Sequence, residues 1–118
     1  MGIKAGDERY PDDVVAAYRE LLSDRATVEA ICEDYRAGAT IDRALDDEDC
    51  GARTIACPVC ALWGGAGALP RFYEDPLELW RPLAPGVTGR VVEGASHFLV
   101  EDEPGEVADD LAGFLAAG

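Results

Sequence analysis

His97 is the only histidine in the chain. It lies in Glu93-Gly94-Ala95-Ser96-His97-Phe98-Leu99, after a short apolar run, Gly89-Arg90-Val91-Val92, and before a C-terminal amphipathic stretch. An imidazole on a loop after a strand can take up and return a proton near neutral pH, as a general base must. A base also needs a nucleophile or an activated water within hydrogen-bond reach. No Gly-x-Ser-x-Gly or Gly-x-Asp-x-Gly elbow, which would present a nucleophile, occurs in the chain. The sequence thus offers a base without its nucleophile. A lone histidine with no catalytic role would look the same.

Two other groups of residues suggest chemistry and then argue against it. Cys57-x-x-Cys60 has the spacing of zinc and redox pairs, but a zinc site needs four ligands. Only Cys32, Cys50 and His97 remain to complete one. The pair also falls in an expected strand, where positions three apart face opposite sides. Buried, inert, reduced thiols are the expectation, and a thiol or metal protein is the weakest alternative. The acidic run Asp46-Asp47-Glu48-Asp49 lacks the alternating ligands and turn glycine of a calcium loop, so it reads as a solvated helix end. No metal and no organic cofactor is expected.

The elements that must position His97 come in two textures. The first third reads as helices. Pro11 suits a first helical position, and Asp12 and Asp13 suit the N-terminal end of the dipole. Val14, Val15, Tyr18, Leu21 and Leu22 form one apolar stripe. Ser23 or Asp24 caps a second helix with the stripe Val28, Ile31, Cys32 and Tyr35, and Gly38 is its expected stop. A third, shorter helix carries Ile41, Ala44 and Leu45 and fades into the acidic run. Thr54 to Trp63 is then a nearly unbroken apolar run, as in a parallel strand buried on both faces, with Pro58 near its start. Asp75-Pro76-Leu77-Glu78 predicts a capping box and a helix whose buried face is Leu77, Trp80 and Leu83 or Ala84. The strand around Arg90-Val91-Val92 follows. A last helix starts near Glu103-Pro104, with Val107, Leu111, Phe114 and Leu115 as its stripe. Strand, helix, strand, helix predicts a parallel βαβ unit and an α/β class.

Composition narrows the partners. The formal net charge is −14, from 24 acidic and 10 basic residues, which opposes binding to nucleic acid or to anionic membranes. No apolar run reaches membrane-spanning length, and the first residues lack a signal-peptide core. A cytoplasmic location is the expectation. A small anionic substrate would need a local positive spot within this acidic field.

The segment Ala30-Ile31-Cys32-Glu33-Asp34-Tyr35-Arg36-Ala37-Gly38-Ala39-Thr40-Ile41-Asp42 strongly resembles the fluoroacetate (haloacetate) dehalogenases of the α/β-hydrolase superfamily. So do Leu62-Trp63-Gly64, Asp75-Pro76-Leu77-Glu78-Leu79-Trp80-Arg81, and Ser96-His97-Phe98-Leu99 with Glu101 and Glu103-Pro104 beyond. The resemblance implies an aspartate that attacks the halogen-bearing carbon to form an ester, and a histidine that activates water to hydrolyse it. By position, His97 matches that base, and Tyr35 matches the cap tyrosine that donates its hydroxyl to the departing halide. Arg36 reads instead as a surface ion-pair partner of Glu33 or Asp34. The family's nucleophile aspartate and its neighbouring arginines have no counterpart in this chain. The acid that orients the histidine is also missing: Gly64-Gly65-Ala66-Gly67 carries none where many α/β-hydrolases place it. The dehalogenases place theirs one strand earlier, ahead of the cap, and that too has no counterpart. Ser96 stands where the family's usual glycine precedes the base.

The resemblance thus implies a partial α/β-hydrolase fold, with a cap-derived helical segment at 1–51 and the C-terminal portion of the core, βαβα with parallel strands, at 52–118. It implies the C-terminal part of an enzyme hydrolysing a small 2-haloacid, inactive alone and completed by an N-terminal half. An ester or epoxide hydrolase fragment is the alternative within the superfamily. A non-catalytic remnant binding a small acid or a protein is the alternative outside it. Open strand edges predict self-association.

Overall fold

The computed structural model describes residues 10–49 and 51–117. They fall into two compact units, Met1–Asp49 and Cys50–Gly118.

The first unit is helical. α1 spans Asp12–Ser23, α2 Arg25–Ala39 and α3 Ile41–Asp49. Pro11 is the N-cap of α1, so the helix begins one residue later than expected, and the Pro11 carbonyl accepts from the Val15 N–H at 3.1 Å. Asp24 ends α1 and starts α2. Its carboxylate accepts from Thr27 N at 3.1 Å, Ala26 N at 3.4 Å and Thr27 Oγ1 at 2.7 Å, satisfying N–H groups that have no partner inside the helix. α2 does not stop at Gly38. One glycine inside a helix costs only about 1 kcal/mol, and the Thr40 hydroxyl closes the end by donating to Arg36 O at 2.6 Å. α3 takes the acidic run into its last turn, with Asp46, Asp47 and Glu48 exposed. α1 packs against α2, and α2 against α3. Val15 is buried, but no described residue of α2 or α3 is. The α2 stripe of Val28, Ile31 and Tyr35 is exposed.

The second unit is built on two parallel strands, β1 (Cys60–Gly64) and β2 (Thr88–Val92), paired from Cys60 opposite Thr88 to Gly64 opposite Val92. β1 is half the length the apolar run predicts. A strand extends only as far as a partner does. β2 has only five residues, and a turn closed by Val87 N donating to Ala84 O precedes it. Val59 O still accepts from Thr88 N at 3.0 Å, but residues 54–58 have no strand to pair with, and Pro58 falls just outside β1. The segment after β1 forms a short helix, α4 (Leu69–Phe72), and a single 3₁₀ turn, Pro76–Leu79. The longer helix expected from Asp75 does not form because Pro82 lacks an N–H and its ring blocks the carbonyl four residues back. Of the face expected to be buried there, Ala84 is buried and Leu77 half-buried, whereas Trp80 and Leu83 are exposed. Asp75 does cap, accepting from Leu77 N at 3.0 Å. Its second oxygen accepts from Arg81 at 2.7 Å, so Arg81 rather than Glu78 completes the cap.

α5 (Leu99–Asp102) and α6 (Pro104–Ala117) follow β2. Val92, Ala95 and Val107 form the buried core, with Leu62 and Leu99 packed on it. Only Val107 of the α6 stripe is buried; Leu111 and Leu115 are exposed. Arg90 ties β2 to α6: its guanidinium donates to Asp110 and to Glu106, each at 3.0 Å.

Thr27, first through its hydroxyl and then its N–H, holds the Asp24 carboxyl below its ordinary value. A depressed carboxyl stabilises the fold above the unfolded value and loses that contribution as pH falls through the folded one. Acidification below the ordinary aspartate value of 3.8 should therefore fray the first turn of α2. Amide NMR of residues 25–28 against pH would show this, and Asp24→Ala should fray the same turn at neutral pH and abolish the acid step.

Candidate active site

His97 sits beyond the carboxyl ends of β1 and β2, the end of a parallel sheet where ligands bind. Backbone interactions between two turns fix the place. Gly65 N donates to Val92 O at 2.9 Å, Ala66 N to Ala95 O at 2.9 Å, and Gly67 N to Gly64 O at 3.0 Å. The glycine turn after β1 is thus joined to the turn after β2 that leads into His97. The approach is so close that a Cβ on Gly64 would lie 1.9 Å from Ser96 O and 2.5 Å from Ala95 O. Only glycine fits there.

A cleft of about 250 Å³ opens at this point. Leu62, Trp63, Leu69 and Leu99 give it an apolar lining, and Ser96 and His97 supply its polar side chains. An apolar cleft with few polar groups suits a small organic ligand. The imidazole is exposed and meets the Phe98 ring edge-on, with centroids 5.3 Å apart and planes at 76°. Among the described residues, no carboxylate hydrogen-bonds the His97 ring. Instead Asp102 holds the loop: its Oδ2 accepts from Ser96 N at 2.7 Å, and Ser96 Oγ donates to the same oxygen. Sequence reasoning missed Gly64 and Asp102 as contributors. The run of small residues after Trp63 and the serine replacing a loop glycine were the available signals.

Tyr35 belongs to the helical unit and is 77% exposed on α2, so it is neither a core aromatic nor enclosed in that unit. Arg36 pairs with Glu33, as its spacing suggests. The expectation of buried thiols is corrected. Cys57 is exposed because it precedes β1 rather than lying in it, Cys60 is half-buried, and Cys32 is exposed. Cys50 lies outside the described residues. Among the described residues, no three His, Cys, Asp or Glu side chains gather as a metal site. No described helix is long and apolar enough to cross a membrane.

No family model matches the chain. It is 32% identical over 111 residues to a fluoroacetate dehalogenase from Burkholderia sp., a match covering 94% of this chain and 36% of that protein. It also aligns, with a TM-score of 0.81, to two mutant structures of a candidate epoxide hydrolase from Pseudomonas aeruginosa, one with bound MFA. Each is 39% identical, over 95% of this chain and 37% of its own length. The chain carries a portion of the α/β-hydrolase fold. Within that class it resembles the C-terminal portion of the fluoroacetate dehalogenases, and it spans little more than a third of the relatives it matches.

Gly64→Ala should destabilise the second unit by roughly 1–3 kcal/mol, the ordinary range for overpacking. Urea unfolding measures this. Amide shifts should move at Ala95, Ser96 and His97, while those of α6 stay in place.

Proposed function

We propose that this chain works as the C-terminal part of a dehalogenase-like α/β-hydrolase, with His97 as the base and Tyr35 as a halide ligand. The observation that carries the reading is His97 lining an apolar cleft at the carboxyl end of a parallel strand pair, in a chain with this likeness to hydrolases. Residues 1–51 would serve as cap and 52–118 as core. The nucleophile would come from a complementing segment bearing an aspartate elbow.

The chemistry then runs in two steps. The aspartate carboxylate attacks the carbon bearing the halogen of a small 2-haloacid. A carbon–oxygen bond forms, the carbon–halogen bond breaks, and the halide leaves toward the Tyr35 hydroxyl. His97 next takes a proton from water as its oxygen attacks the ester carbonyl. The 2-hydroxy acid departs, the aspartate is regenerated, and the imidazole returns its proton to solvent. No metal or organic cofactor enters these steps. Among the described residues β1 pairs only with β2, and exposed apolar side chains flank the helices. The complementing segment would cover these surfaces, and in its absence they favour self-association.

Likeness to a candidate epoxide hydrolase supports a second reading, in which the same base follows attack on an epoxide carbon. The test is to join this chain to the N-terminal portion of the Burkholderia sp. fluoroacetate dehalogenase and assay haloacetates and small epoxides. Continuous halide release is expected. Tyr35→Phe should slow the first step about tenfold or more, since a hydrogen bond to a charged acceptor is worth roughly 1.5–3 kcal/mol. A folded fusion that releases no halide refutes the dehalogenase reading. Epoxide opening in its place would support the second, and neither activity would leave a binding module.

A further inference from the structure

We infer that Asp102 is a positioning residue for His97, acting through Ser96. Its functional meaning rests on His97 being the base proposed above; its geometry does not. The imidazole has no hydrogen-bonded carboxylate among the described residues, so its direction depends on the backbone at 96–98 and on the Phe98 ring. One carboxylate oxygen governs both flanks of that backbone. Asp102 Oδ2 accepts from Ser96 N at 2.7 Å and from Ser96 Oγ at 2.5 Å. Ser96 Oγ in turn accepts from Phe98 N at 3.2 Å. The residues before and after His97 are therefore held through a single acceptor.

Asp102 is itself anchored, since its own N–H donates to Phe98 O at 2.9 Å. Ser96 and Asp102 are both half-buried, which limits competition from water. Hydrogen bonds to an ionised carboxylate are about twice as strong as neutral ones. A glycine at position 96 would lack the hydroxyl that links Asp102 to Phe98 N. Ser96 and Asp102 thus form a paired device: an acid orients the base from one residue away, without touching its ring.

The single histidine makes the test clean, because the chain has one set of imidazole resonances. The edge-on Phe98 ring should displace the His97 ring protons from their free-peptide shifts. In Asp102→Ala that displacement should be lost, while Val92 methyl shifts confirm an intact core. A purely structural role would lower unfolding stability and leave the displacement in place, and that result would overturn the inference. If Asp102→Ala does not fold, Ser96→Ala decides, because it removes only the hydroxyl link. Loss of the displacement in that variant supports the inference, and an unchanged displacement overturns it. The shift is read on the chain itself. A folded fusion with neither halide release nor epoxide opening would therefore refute the base assignment and leave this result standing.

Discussion

The second unit depends on how closely the ends of its two strands approach. Gly64 lies against the carbonyls of Ala95 and Ser96 at a distance no side chain allows, and Gly65 and Ala66 donate to Val92 and Ala95. This junction continues the strand pairing beyond β1 and β2. It seals the top of the core formed by Val92, Ala95 and Val107. It also delivers His97 to the rim of an apolar cleft rather than into bulk solvent away from the sheet. The glycine at 89 has the same character lower in the pair, where a Cβ would lie 1.9 Å from Ala61 O. Small residues at both ends let two short strands sit close enough to act as a rigid base for one loop.

Charge works at shorter range than the net value of −14 suggests. Within the second unit two arginines are committed to acids: Arg81 to Asp75, and Arg90 to Glu106 and Asp110. The hydrogen bond from Arg81 is the main cause that lowers the Asp75 carboxyl below its ordinary range. The Asp110 hydrogen bond, followed by that of Glu106, raises the Arg90 guanidinium further above its own. These pairs are partly exposed and contribute little energy each. Their role is geometric: they fix the turn before β2 and the helix behind it.

Features set by local chemistry were legible in the sequence. A cap at Ser23 or Asp24 was legible because an oxygen-bearing side chain precedes free N–H groups, with Asp24 taking it, and β2 and α6 followed from their patterns. The histidine's place after a strand was legible for the same reason. Features set by partners were not. β1 begins only where β2 begins, so an apolar run of ten residues yields a strand of five. Pro82 cuts short the helix that the Asp75 pattern predicts, and α2 runs past Gly38 because the Thr40 hydroxyl closes its end instead. The α2 stripe reads as a buried face and is exposed. The Ser96–Asp102 link was invisible because hydrogen bonds across a turn leave no periodic trace.

The most direct measurement is intact mass spectrometry of the completed enzyme carrying His97→Ala, after exposure to a 2-haloacid. If His97 is the base for the second step, the first step proceeds and the second stalls. One halide per site is then released, and the aspartate-bearing segment gains the mass of the acyl ester. Sustained turnover at the unsubstituted rate, with no adduct, would contradict the assignment.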